Sequence, residues 1–138
     1  DLNPGGFHSL PPGLRMGSMM APVIVAGPDG SVTGMGTGGS ERIRSALLST
    51  LLRLVDLDVG IDDAVAGPRL QPNDAEVQLE PGWDPRVPDL LRNRGPVNIW
   101  PAQNLFFGGV HAVRREADGS VVAVGDSRRA GAAVVVPL

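Results

Sequence analysis

The sequence predicts an α+β fold, a mainly antiparallel sheet with helices packed against it. Three observations point there: two hairpin signatures far apart in the chain, one long amphipathic helix between them, and a high, aperiodic glycine and proline content. With 19 Gly and 13 Pro in 138 residues, the chain is built from short elements and tight turns, which excludes a helical bundle or coiled coil. Its length and 42% hydrophobic content suit a single hydrophobic core.

The first segment, to about Gly17, reads as a Gly/Pro-rich surface loop, because the Pro11-Pro12 pair cannot donate to a sheet ladder and holds its neighbour extended. Residues 22–26 are β-branched and apolar, Gly27-Pro28-Asp29-Gly30 is a turn, and residues 31–35 return as the second strand. Residues 41–58 follow as the helix, with Ile43, Leu47, Leu51, Leu54 and Val55 at the spacing of one apolar face. Leu48 and Leu52 widen that stripe, so the helix is expected to be covered on more than one side. Ser40 is the expected N-cap, Glu41 suits the positive end of the helix dipole, and Gly60 is the expected stop. Short helices are expected over 62–66 and 88–94, ended by Gly67-Pro68 and Gly95-Pro96. Residues 110–115, a turn at Ala117-Asp118-Gly119, and residues 120–124 form the second hairpin. Residues 132–136 are expected to add a strand.

Composition also limits the chemistry. A net charge of −3 argues against a nucleic-acid partner, which wants excess positive charge. No apolar run reaches the roughly 20 residues that span a bilayer, so no membrane partner is expected. The absence of Cys excludes disulfides and thiol catalysis, and with two His neither a metal nor another cofactor is implied. His8 and His111 read as surface or satisfied histidines, and Trp83 and Trp100 as packing. All 12 basic residues are Arg, most simply a coding bias.

The sharpest chemical feature is Gly36-Thr37-Gly38-Gly39-Ser40, between a strand and the long helix. Unpaired N–H groups at a helix start, approached across side-chain-free Gly, suit a developing oxyanion. A phosphate loop is excluded by the missing Gly-Lys-Ser/Thr ending. The alternative is a tight turn that needs only glycine's conformational freedom.

Five segments, in order, resemble the C-terminal part of the small subunit of γ-glutamyltranspeptidases. They are Asp1-Leu2-Asn3-Pro4, Arg15-Met16-Gly17-Ser18-Met19-Met20-Ala21-Pro22, Gly38-Gly39-Ser40, Ala64-Val65-Ala66-Gly67-Pro68-Arg69 and Gly125-Asp126-Ser127-Arg128-Arg129. The resemblance implies part of an αββα N-terminal-nucleophile hydrolase sandwich, made by autocleavage of a precursor into large and small subunits. Residues 1–138 are then expected to be one partial domain, whose partners are the large subunit and the remainder of the small subunit. The implied reaction cleaves γ-glutamyl amides, of the glutathione type, through a threonyl ester; the alternatives are an acylase for another acyl group and a non-catalytic binding domain.

The family's nucleophile is an N-terminal Thr whose own α-amine acts as base. Thr33, Thr37 and Thr50 stand in other contexts, so the nucleophile is expected upstream and this chain alone is expected to be inert. By the resemblance, Asp1 binds the substrate α-ammonium, and Gly38 and Gly39 form the oxyanion hole. Ser18 matches the first of two serines that hold the α-carboxylate, and Met19 replaces the second. A lost hydrogen bond to a charged group costs about 1.5–3 kcal/mol; in the acylase alternative Met19 lines an apolar pocket. Thr37 stands where a Pro is frequent, and Ser40-Glu41-Arg42 carries one residue more than a direct Ser-Arg. Gly39→Val is expected to block turnover while sparing the fold. The resemblance leaves a periplasmic or extracellular location open.

Overall fold

A computed structural model describes residues 5–7, 9–15 and 17–136; Asp1, His8 and Met16, named above, lie outside the described residues. Both expected hairpins form. Strands β1 (Val23–Ala26) and β2 (Val32–Gly38) pair antiparallel, as do β6 (Gly109–Arg115) and β7 (Val121–Val124). Pairing of β2 with β6, from Val32 opposite Arg115 to Gly38 opposite Gly109, joins them into a sheet of order β1-β2-β6-β7. The two-residue alternation of strands then sorts the side chains. Thr33, Met35, Val110 and Ala112 are buried on one face, while Ile24 and Val113 flank Gly34 on the other and remain 74% and 47% exposed.

Helix α1 (Arg42–Leu51) covers the buried face, continues as a π-helical turn (Leu52–Asp56), and is followed by α2 (Ile61–Ala66). Ile43, Ala46, Leu47 and Leu54 from the first helix and Ile61, Ala64 and Val65 from the second meet Met35, Val110 and Ala112 in one core. On a second side α1 meets residues 70–72, as expected, but this cover is partial. Leu48, Leu52 and Val55 are exposed, and Leu48 and Leu52 border an apolar groove of about 330 Å³ completed by Leu57, Leu70, Pro72 and Trp83.

Several expectations are corrected. Strand β2 runs three residues past its expected end, because Thr37 and Gly38 still find partners in β6. Ser40 is not the side-chain cap: its φ is +57, the N-cap position is Glu41 with no side-chain cap bond, and Gly39 O and Ser40 O accept from the N–H groups of Arg42 and Ile43. Gly60 is not the stop. The chain reverses at Asp58, φ +50, where Val59 N–H closes back on Arg53 O at 2.9 Å, and Gly60, at φ −55, precedes α2. Residues 132–136 form no strand, and Val134 and Val136 are exposed.

A second sheet lies outside the sequence reading: β3 (Leu70–Pro72), β4 (Val77–Leu79) and β5 (Val97–Ile99), with β3 antiparallel and β5 parallel to β4. Three residues carry too little alternation to announce a strand. Helix α3 (Arg86–Arg92) precedes β5 and begins two residues before its expected start. Trp100 is packing as expected: it stacks on Phe106 at 4.9 Å and donates its indole N–H to Gln78 Oε1 at 2.7 Å. Among the described residues no helix is long and apolar enough to cross a membrane.

A left-handed conformation strains a residue with a Cβ and suits glycine. Asp58→Gly in the full-length protein is therefore expected to raise the unfolding temperature, by up to about 1 kcal/mol of stability. Gly60→Ala, with no atom within 4 Å of the added carbon, is expected to leave it nearly unchanged. Calorimetric scans of both variants check this pair.

Candidate active-site cleft and its buried support

Residues 36–40 do not form a free loop. Gly38 closes the β2–β6 ladder opposite Gly109, and Thr37 Oγ1 accepts the Gly109 N–H at 3.0 Å while donating to Gly38 O at 3.0 Å. Gly39 then turns the chain into α1 with φ +146, and a Cβ placed there would stand 3.1 Å from Gly108 Cα. Gly108 has φ +77, and its own Cβ would meet Gly38 O at 3.0 Å. Two glycine backbones therefore lie against each other where strand gives way to helix. The Gly39 N–H has no hydrogen-bond acceptor among the described residues.

A cleft of about 310 Å³ opens beside this junction, lined by Gly39, Ser40, Arg42, Leu105, Phe106 and Arg129. Arg42 is fixed in it: its Nε donates to Phe106 O at 3.2 Å, and its guanidinium carbon lies 4.5 Å from the Phe106 ring centre. Arg129 lies over Gly38, its guanidinium carbon 3.6 Å from the position of a Cβ there.

The structure thus keeps Gly38 and Gly39 together at the cleft. It does not bring Ser18 or Met19 to the cleft's lining. Ser18 is exposed and its Oγ accepts the Met20 N–H at 3.2 Å, while Met19 packs against the hydrophobic core. Asp1 lies outside the described residues. Thr50 is buried and donates to Ala46 O at 3.0 Å. Among the described residues, no group of three or more His, Cys, Asp or Glu has the arrangement of a metal site.

Behind the junction lies a group that sequence reasoning missed as a unit. Arg69, Glu80, Asp126 and Arg128 are buried together, none more than 7% exposed. Arg128 makes a two-point contact with Glu80 at 2.8 and 2.6 Å and reaches Asp126 Oδ1 at 3.2 Å. Arg69 pairs with Asp126 Oδ2 at 2.6 Å. Two cations thus face two anions, and the remaining acceptor positions take backbone N–H groups: Glu80 accepts from Arg69 at 2.9 Å, and Asp126 from Val110 at 2.8 Å and from Arg128 at 2.9 Å. Arg69 also donates to Phe107 O at 3.3 Å, and Glu80 accepts the Asn104 N–H at 3.3 Å.

Residues 104–110, which include Gly108 and Phe106, are therefore held from behind by three of these side chains, Arg69, Glu80 and Asp126. Two of the five sequence motifs carry Arg69, Asp126 and Arg128. Glu80 has no motif, and only its position directly after the apolar Leu79 could have marked it as a buried charge needing a partner.

Burial alone would push the Asp126 carboxyl up. The Arg128 N–H, the Arg69 guanidinium, the Val110 N–H and the Arg128 charge together hold it below its ordinary value. Burial likewise works against the Arg128 charge, but hydrogen bonds and attraction from Glu80 and Asp126 raise its pKa.

A family model described as gamma-glutamyltranspeptidase matches residues 1–136. The chain is 33% identical over 124 residues to the glutathione hydrolase 5 proenzyme of Mus musculus, covering 88% of this chain and 22% of that protein. It is 26% identical over 136 residues to the acylase ACY 1 proenzyme of Pseudomonas sp. strain V22, covering 99% and 24%. Among solved structures it is similar to the transpeptidase enzyme CapD of Bacillus anthracis, with a TM-score of 0.77, 26% identity, and 91% of this chain and 75% of that one covered. The chain spans about a quarter of the length of the curated relatives it matches.

Removing one member of a buried ionic set leaves its partner charge uncompensated, at a cost of about 3–5 kcal/mol. Asp126→Asn in the full-length protein is expected to lose stability on that scale in denaturant titrations. The folded carboxyl lies below the usual 3.8, so its contribution is complete above the unfolded pKa and is lost as pH falls through the folded value. The difference in stability between wild type and Asp126→Asn should therefore shrink as the pH drops below about 4.

Proposed function

The chain belongs to the γ-glutamyltranspeptidase family, part of the αββα N-terminal-nucleophile hydrolase sandwich, and from that premise we propose that the protein containing it cleaves γ-glutamyl amides of the glutathione type. The hydroxyl of the family's N-terminal threonine attacks the γ-carbonyl carbon, and its α-amine takes the proton. The tetrahedral intermediate places negative charge on the former carbonyl oxygen, which the N–H groups at Gly38 and Gly39 receive. The amine leaves with a proton, and water or a second amine then resolves the threonyl ester.

The observation that carries this reading is the backbone at Gly39. A φ of +146 and the contact with Gly108 keep side chains away from the junction, and the Gly39 N–H lacks an acceptor among the described residues. Fixed donors aimed at developing charge are worth about 10²–10³ in kcat. Asp1 is assigned to the substrate ammonium and Ser18 to its carboxylate.

The large subunit and the remainder of the small subunit complete the fold in this proposal, with residues 1–138 as one partial domain. The open sheet face of Ile24 and Val113 and the groove along α1 offer apolar surface for that contact. A second reading, an acylase for a non-glutamyl group, is favoured by the acylase relative and by Met19 in place of a second serine. Met19 packs on the core, which supports the γ-glutamyl reading over an apolar acyl pocket built on that residue.

Assay of the full, processed protein with a γ-glutamyl anilide and a non-glutamyl acyl anilide separates the readings; turnover of the second alone would overturn the first. Gly39→Val is unsuited to testing the oxyanion donors, because the added carbon crowds Gly108 in a backbone conformation that L residues rarely adopt, contrary to the expectation that it spares the fold. Gly38→Ala meets only ordinary contacts near Arg129. It is expected to lower kcat about 10–100-fold with little change in unfolding temperature. An unchanged kcat would remove Gly38 from the site.

A further inference from the structure

Helix cover on the large sheet stops short of the end farthest from the glycine pair. Val25, Thr33 and Arg114 stand directly opposite one another across β1, β2 and β6, so they share one face, the face that α1 covers further along. The π-helical turn after α1 ends at Asp56 and the chain reverses at Asp58, which leaves this row facing a cavity of about 320 Å³. Leu54, Val55 and Asp58 close it from the helix end, and Asp29 from the β1–β2 turn. Thr33 is only 2% exposed, yet its hydroxyl, open to the cavity, makes no hydrogen bond among the described residues.

Charges of both signs surround the cavity, and they are incompletely matched to one another. Arg114 donates through Nε to Glu116 at 2.9 Å and through Nη2 to Ser31 Oγ at 3.2 Å. It lies 3.7 Å from Asp29 Oδ2, and its Nη1 has no partner among the described residues. Hydrogen bonds from the Ser31 hydroxyl and N–H, both to Asp29 Oδ1, hold the Asp29 carboxyl below its ordinary value. Asp58 is exposed and forms no ion pair among the described residues. A zwitterion answers each of these features: an ammonium beside Asp29 and Asp58, a carboxylate against Arg114 Nη1 and the Thr33 hydroxyl, and an aliphatic side chain against Val25, Leu54 and Val55. We propose that this cavity binds a free α-amino acid with an aliphatic side chain, at a site roughly 17 Å along β2 from Gly38. None of the residues assigned to the proposed reaction lines it, so the site stands independently of that reading.

Titration calorimetry of the full, processed protein with L-leucine tests the site without requiring turnover. Wild type is expected to bind leucine, and Arg114→Met, Thr33→Val and Asp58→Gly are each expected to weaken that binding about tenfold. Thr33→Val keeps the side chain's shape and Asp58→Gly relieves a left-handed residue, so these two keep the test open should Arg114→Met fail to fold; unfolding temperatures of all three separate lost binding from lost folding. Two analogues keep the side chain of leucine and one of its charges, 3-methylbutylamine and 4-methylpentanoate. Both should bind about tenfold more weakly than leucine. No binding by wild type, equal binding by wild type and all three variants, or equal binding of leucine and either analogue overturns the site. Leucine binding that is lost in Gly38→Ala but kept in the three variants belongs to the cleft and overturns it as well.

Discussion

Two guanidiniums and two carboxylates enclosed without solvent are tolerable only because their charges cancel and their remaining hydrogen-bonding positions are filled by backbone. Arg69, Glu80, Asp126 and Arg128 meet that condition nearly completely, with Arg69 Nε the exception that finds no partner among the described residues. Their chain positions explain why the arrangement matters. Glu80 follows β4 in the small sheet, Arg69 stands between α2 and β3, and Asp126 and Arg128 follow β7 in the large sheet. The four side chains thus join two sheets that share no strand, and they specify one geometry where apolar contacts alone would allow several.

That geometry reaches the cleft through backbone contacts. Asp126 takes the N–H of Val110, Arg69 donates to the carbonyl of Phe107, and Glu80 takes the N–H of Asn104. The segment so held presents Gly108 to Gly39 and Phe106 to Arg42. The turn of Ser127–Arg129 also carries Arg128 inward and Arg129 outward, so one short element serves both the buried support and the cleft. The backbone donors and the two cleft arginines sit on a base of buried charges, which suits a site that must hold its dipoles still while charge develops.

The parts of the fold that read clearly from the sequence are those governed by local rules. Hairpin turns at Asp-Gly, the apolar spacing of Ile43, Leu47, Leu51 and Leu54, and the Gly-Pro that ends α2 each speak through neighbours a few residues away. The parts that did not read are set by distant contacts. Ladder pairing with β6 carried β2 past Met35 to Gly38, and β3 to β5 are too short to show a period. The helix ends at Asp56 and the chain reverses at Asp58 rather than Gly60, its last turn having widened into a π-bonded form. At the site, the glycine pair was legible because a strand-to-helix turn rich in glycine has a recognisable chemistry. Arg69, Asp126 and Arg128 appeared only as members of family motifs, and their meeting with Glu80, up to 48 residues away, is a tertiary fact that no spacing encodes.

Amide hydrogen exchange on the full-length protein carrying Glu80→Gln is the most direct measurement of whether the buried charges hold the cleft in place. If the four side chains act as one support, loss of the Glu80 charge should speed exchange at the Val110 N–H, which is bonded to Asp126 rather than to Glu80, and across residues 106–109. Faster exchange confined to the Arg69 and Asn104 N–H groups that touch Glu80 itself, with Val110 unchanged, would contradict the account.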